Sequence, residues 1–141
     1  MRVGVINGPN LNMLGVREPR VYGAQSLSDL MLELKDAFSL HQIDDFHSNN
    51  EGELISKIQE WGMILDGIVI NPGGYSHTSV AIRDAIASIK APVIEVHISN
   101  IHAREDFRDS TITGGACQAV ISGLGTEGYR VALKYLEESL A

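Results

Sequence analysis

A chain of 141 residues is long enough to bury a core and short enough to form one domain, here residues 1–141. The formal net charge of -7 excludes the basic face that a nucleic-acid binder needs. No apolar run approaches the roughly 20 residues of a membrane span and no charged-then-apolar leader opens the sequence, so a cytoplasmic protein with no membrane partner is expected.

Arg2-Val3-Gly4-Val5-Ile6 reads as a first strand ended by Asn7-Gly8-Pro9-Asn10. Residues Asn10 to Gly23 then form a long connection, the length of a lid or binding loop. Ser26 with Asp29 three residues on resembles a capping box, and Leu27, Leu30, Met31, Leu34 and Phe38 give the following helix one apolar face. Ile43 to Ser48 is a weaker, alternating strand suited to a sheet edge. Asn49, Asn50 and Glu51 lead into a second helix, in which Leu54, Ile55, Ile58 and Trp61 share a face, with Gly62 near its end.

The third unit is the most explicit. Asp66-Gly67-Ile68-Val69-Ile70 is a buried strand, Asn71-Pro72-Gly73-Gly74-Tyr75-Ser76-His77 a sharp turn, and Thr78 and Ser79 are N-cap residues for a helix whose stripe is Val80, Ile82, Ala85, Ile86 and Ile89. Pro92 to His97 is a fourth strand, followed by a short helical turn through Arg108 and an irregular stretch from Asp109 to Gly115. Ala119-Val120-Ile121 is a fifth strand, Gly123 and Gly125 turn the chain, and Thr126 is expected to cap a last helix bearing Tyr129, Ala132, Leu133 and Leu136.

Five strands alternating with helices imply an α/β fold with parallel pairing through right-handed crossovers. The expected architecture is a three-layer, flavodoxin-like one, with strand order 2-1-3-4-5 and helices on both faces. That order sets the loops after strands one, three and four side by side at one edge, where ligands bind.

Those loops carry the unusual polar residues. Glu95 and His97 are two apart on a strand, so they face one side, and a carboxylate there can orient an imidazole for proton transfer; a satisfied polar pair at a strand end is the plainer reading. His77 could be a capping residue, Arg17, Tyr22, Arg104 and Arg108 surface residues, and Asn7, Asn10 and Asn71 turn formers. Their joint placement favours a pocket for acid–base chemistry on a small anionic molecule. His97 and His102 are five apart with no third ligand at a matching spacing, so no metal is expected. No phosphate-binding glycine loop is present. Cys117, alone, permits no intrachain disulfide and reads as a small buried residue.

Three stretches, Gly8-Pro9-Asn10-Leu11-Asn12-Met13-Leu14-Gly15-Val16-Arg17-Glu18-Pro19 with Tyr22-Gly23, Asn71 to Ser79, and Ile94 to Glu105 with Phe107-Arg108, closely resemble type II 3-dehydroquinate dehydratase. Asn49, Glu51-Gly52-Glu53-Leu54-Ile55 and the Gly123-Leu124-Gly125 turn match as well. Gly74 stands where Ala is usual and Ser76 where Thr is usual. Asp109-Ser110-Thr111 replaces a more basic or histidine-bearing stretch, and so sets a carboxylate beside Arg108 in sequence.

The resemblance implies conversion of 3-dehydroquinate to 3-dehydroshikimate and water by anti elimination through an enolate, with no cofactor, in aromatic biosynthesis or quinate breakdown. It implies Tyr22 as base, Arg17 as the cation that eases its ionisation, Asn10 as holder of a water at the enolate oxygen, and His97, oriented by Glu95, as general acid. Asn71 and the backbone of Ile98 and Ser99 would bind the substrate carboxylate, and His77, Arg108 and Asp84 its hydroxyls. A homo-oligomer, trimers built into a dodecamer, is also implied. Asp84 lies seven residues after His77, about 10 Å along a helix, and is therefore expected to serve a neighbouring subunit's pocket. The alternatives from other classes are a flavodoxin-like FMN carrier and a non-catalytic metabolite-binding regulator.

Overall fold

The computed structural model describes residues 1–16, 20 and 24–141. In chain order the regular elements are β1 (Arg2–Asn7), α1 (Leu27–Ala37), β2 (Gln42–His47), α2 (Glu51–Ile64), β3 (Gly67–Asn71), α3 (Val80–Ala87), β4 (Val93–His97), β5 (Ala119–Ser122) and α4 (Glu127–Ser139), with short 3-10 turns in the loops. All strand pairs are parallel and the order is β2-β1-β3-β4-β5, so the weakly apolar β2 is at an edge, as its alternation implies.

The period-two geometry of the strands splits the core in two. Val3, Val5, Val69, Ile94 and Val96 face one way and are covered by Leu30, Met31 and Leu34 of α1 and Leu133 and Leu136 of α4. Ile6, Ile68, Ile70 and Val93 face the other way, against Leu54 and Ile58 of α2 and Ile82 and Ile86 of α3. Because both faces of the sheet are buried, its central strands are continuous apolar runs rather than alternating ones. No helix among the described residues is long and apolar enough to cross a membrane.

Local signals set most helix starts. The side chains of Ser26, Asn50 and Ser79 accept the backbone N–H groups of Asp29, Glu53 and Ile82 respectively. Thr126 departs from expectation. With φ -70° and ψ -16° it already has helical geometry, which does not aim its hydroxyl at the next free N–H groups, and it makes no side-chain cap. Gly62 lies near the end of α2, which stops at Ile64. A Cβ there would lie 2.4 Å from that of Ile89, so the glycine is a packing contact with the chain after α3. Val80, counted in the apolar stripe, is 58% exposed because it opens α3 on the side away from the sheet.

Candidate active site

The loops after β1, β3 and β4 enclose a pocket lined by Asn10, Leu14, Asn71, His77, His97, Ile98, Ser99, Arg104 and Arg108. Seven residues to which the resemblance gives a role therefore meet, Asn10, Asn71, His77, His97, Ile98, Ser99 and Arg108, and Arg104 joins them. Arg17 and Tyr22 lie outside the described residues. Asn10 takes the left-handed conformation, φ 72°, which asparagine tolerates better than other side-chain-bearing residues, and its N–H donates to Asn49 Oδ1 at 2.8 Å. Asp84 does not line the pocket and is exposed on α3. His77 belongs to the 3-10 turn Gly73–His77 before that helix, so the two do not share a helical face.

Glu95 and His97 do face the same side of β4. His97 lines the pocket at 6% exposure, and Glu95 lies behind it with none. His97 Nε2 is 2.8 Å from Glu95 Oε2. The same oxygen accepts the Thr111 hydroxyl at 2.5 Å, and Oε1 accepts that of Thr113. Facing a carboxylate, which accepts, His97 carries its hydrogen on Nε2. Nδ1 is the nitrogen left for the pocket. Nearby Cys117 is half-buried, and burial, with the negative Glu95 adding to it, pushes its thiol up to about 12, so it stays protonated. Sequence reasoning found the Glu95–His97 pair and missed both threonines. Their only signal was two hydroxyls in a stretch with no periodicity.

His77 stacks beside His97, ring centroids 6.0 Å apart at 28°. Its Nδ1 is 2.8 Å from the Ser110 carbonyl, which can only accept, so Nδ1 carries hydrogen and Nε2 is left for other partners. Arg108 pairs with Glu105, Nε to Oε2 2.8 Å, and that hydrogen bond holds the Glu105 carboxyl below its usual range. Asp109, its neighbour in sequence, turns instead toward His102, 3.9 Å away. Arg104 Nη1 donates to Ser99 Oγ at 3.4 Å. Among the described residues, no group of three His, Cys, Asp or Glu side chains is placed to hold a metal ion.

The family model described as Dehydroquinase class II matches residues 1–137. This chain belongs to that family. It is 53% identical over 135 residues to the 3-dehydroquinate dehydratase of Halothermothrix orenii, covering 94% of this chain and 91% of that protein. With the enzyme of the same name from Fusobacterium nucleatum it shares 51% identity, covering 98% and 97%. The crystal structure of type II dehydroquinase from Butyrivibrio crossotus superposes with a TM-score of 0.94 at 45% identity and covers 97% of each chain.

One further side chain shapes the pocket of this class II dehydroquinase. The last residues of β1 and β3, Asn7 and Asn71, are paired in register and turn to the face covered by α4. There the Tyr129 hydroxyl donates to Asn7 Oδ1 at 2.6 Å and accepts from Asn71 Nδ2 at 2.9 Å. Burial pushes the Tyr129 phenol well above its ordinary value, which keeps it a neutral donor. Asn71 Oδ1 also accepts the Gly73 N–H at 3.1 Å, so the asparagine is held from both ends with one amide hydrogen left. Sequence periodicity placed Tyr129 on an apolar stripe and said nothing of its hydroxyl. Tyr129→Phe would strand two buried amide atoms, at a cost of about 2 kcal/mol. A fall in Tm of roughly 5–10 °C is expected in thermal melts at fixed protein concentration; an unchanged Tm would show that the amides find other partners.

Proposed function

We propose that this class II dehydroquinase converts 3-dehydroquinate to 3-dehydroshikimate and water by anti elimination through an enolate, with no cofactor. The observation that carries the residue assignments is the Glu95–His97 pair, with His97 in the pocket wall and Glu95 buried behind it on Nε2. The hydroxyl that leaves is two carbons from the substrate ketone, and hydroxide is a poor leaving group. His97 protonates it from Nδ1, and the buried Glu95 carboxylate offsets the charge of the doubly protonated ring.

Tyr22 removes the proton next to the ketone. An ordinary tyrosine ionises near pH 10, so a phenolate at pH 7 costs about 4 kcal/mol, which the cationic Arg17 offsets. Asn10, through a water, stabilises the negative charge that forms on the ketone oxygen. The remaining Asn71 amide hydrogen and the backbone of Ile98 and Ser99 take the substrate carboxylate, while His77 and Arg108 bind ring hydroxyls. A flavin carrier finds no support in a pocket lined by two histidines and two arginines. The direct test is ultraviolet absorbance after addition of 3-dehydroquinate. The conjugated product absorbs where the substrate does not, and a flat trace would overturn the assignment. Reaction in the cytoplasm, in aromatic biosynthesis or quinate breakdown, fits this chemistry.

The active site is completed in a homo-oligomer, trimers assembled into a dodecamer, where Asp84 of one chain reaches a neighbour's pocket. The exposure of Asp84 outside its own pocket supports this reading. Co-assembly of Tyr22→Phe and Asp84→Ala chains is expected to raise activity above either parent, because some pockets pair an intact Tyr22 with an intact Asp84. Mixed oligomers showing only the parental average would place both residues in one chain's site.

A further inference from the structure

We propose that the segment from Ser110 to Thr113 is a clamp that sets the orientation of both active-site histidines, with Thr111 and Thr113 as positioning residues for Glu95. The proposal rests on the reading of Glu95–His97 as the proton-donating pair.

A single hydrogen bond from His97 would leave a fully buried carboxylate with most of its acceptor capacity empty, which is costly. The side chain would then be drawn to any other donor it could reach by rotation. The two threonines remove that freedom. Thr111 Oγ1 accepts the Gly114 N–H at 3.0 Å and makes its shortest donor contact, 2.5 Å, to Glu95 Oε2. Thr113, itself without exposure, donates to Oε1. With both oxygens engaged, Oε2 is held 2.8 Å from His97 Nε2, which leaves Nδ1 as the nitrogen free to serve the pocket that His97 lines.

The segment is braced against movement. Ile112 N–H donates to the Ser76 carbonyl at 2.6 Å and its own carbonyl accepts from Arg83 Nη1 at 2.8 Å. A Cβ on Gly114 would lie 2.6 Å from Thr111 Cγ2, 2.7 Å from Val120 Cγ2 and 3.1 Å from Glu95 Oε2, so this close-packed turn leaves no space for a side chain. The Ser110 carbonyl, at the start of the same segment, takes the Nδ1 hydrogen of His77. One loop thus selects which nitrogen each ring offers: Nδ1 of His97 and Nε2 of His77.

The test is a mutant cycle read in steady-state kinetics. Thr113→Val keeps the shape and removes the donor; kcat should fall at least tenfold with KM within about threefold of the unmodified chain, and Thr113→Ser should restore kcat to within about threefold. In the Glu95→Gln background the same valine change should cost less than about twofold, because the group it acts through is gone. Thr111→Val is carried through the same cycle, and decides the matter if melting curves show that Thr113→Val does not fold. Equal losses with and without Glu95, or a change confined to KM, would overturn the clamp while leaving the pair intact. If Glu95→Gln alone left kcat unchanged, the pair itself would fail as the proton donor, and the clamp with it.

Discussion

His97→Ala is expected to lower kcat by about three orders of magnitude, within the range that a general acid contributes, while KM stays within about tenfold. The reason lies in the order of the two proton transfers. In the proposed mechanism His97 acts on the leaving hydroxyl, after the base has already made the enolate, and its removal strips no group from the carboxylate-binding side of the pocket. Its wall position and the two threonine hydrogen bonds that remain on Glu95 should let the variant fold. In deuterated water the recovered substrate should still gain deuterium next to the ketone, because the enolate forms and returns. Loss of exchange together with elimination would show that His97 serves the first step or the structure, and the leaving-group role would fall.

Tyr22→Phe is expected to have a comparable or larger effect on kcat, three to four orders of magnitude, again with affinity within about tenfold. Its signature should be the opposite one. With no base there is no enolate, so deuterium exchange disappears along with turnover. The two variants therefore separate the steps even though both are nearly inactive in an absorbance assay. Exchange persisting in Tyr22→Phe would assign proton removal to another group, and near-normal turnover would take Tyr22 out of the mechanism.

Much of the candidate site was legible because its residues sit at the ends of recognisable strands. Period-two geometry requires Glu95 and His97 to share a side once β4 is identified, and the parallel order brings Asn10, Asn71 and His97 to one edge. Sequence neighbours were a poorer guide to charge pairing. Asp109 adjoins Arg108 in the chain, yet Arg108 bonds to Glu105 and Asp109 faces His102, because a 3-10 turn over Asp106–Arg108 brings residue 105 alongside 108 and carries 109 away.

What the sequence determined by itself was therefore local or periodic: the alternation of strands and helices, the caps at Ser26, Asn50 and Ser79, and the two-residue spacing that joins Glu95 to His97. Such features depend on backbone geometry within a few residues, which composition and spacing encode directly. The tertiary structure alone decided the links across long separations: Tyr129 to Asn7 and Asn71 over 122 and 58 positions, and Thr111 and Thr113 to Glu95 over 16 and 18. A buried hydroxyl must find a partner, but many polar groups in the chain could satisfy that need. Which of them does is settled only when the sheet and helices pack and the water is excluded, and that packing is what gives His97 its buried, fully bonded carboxylate.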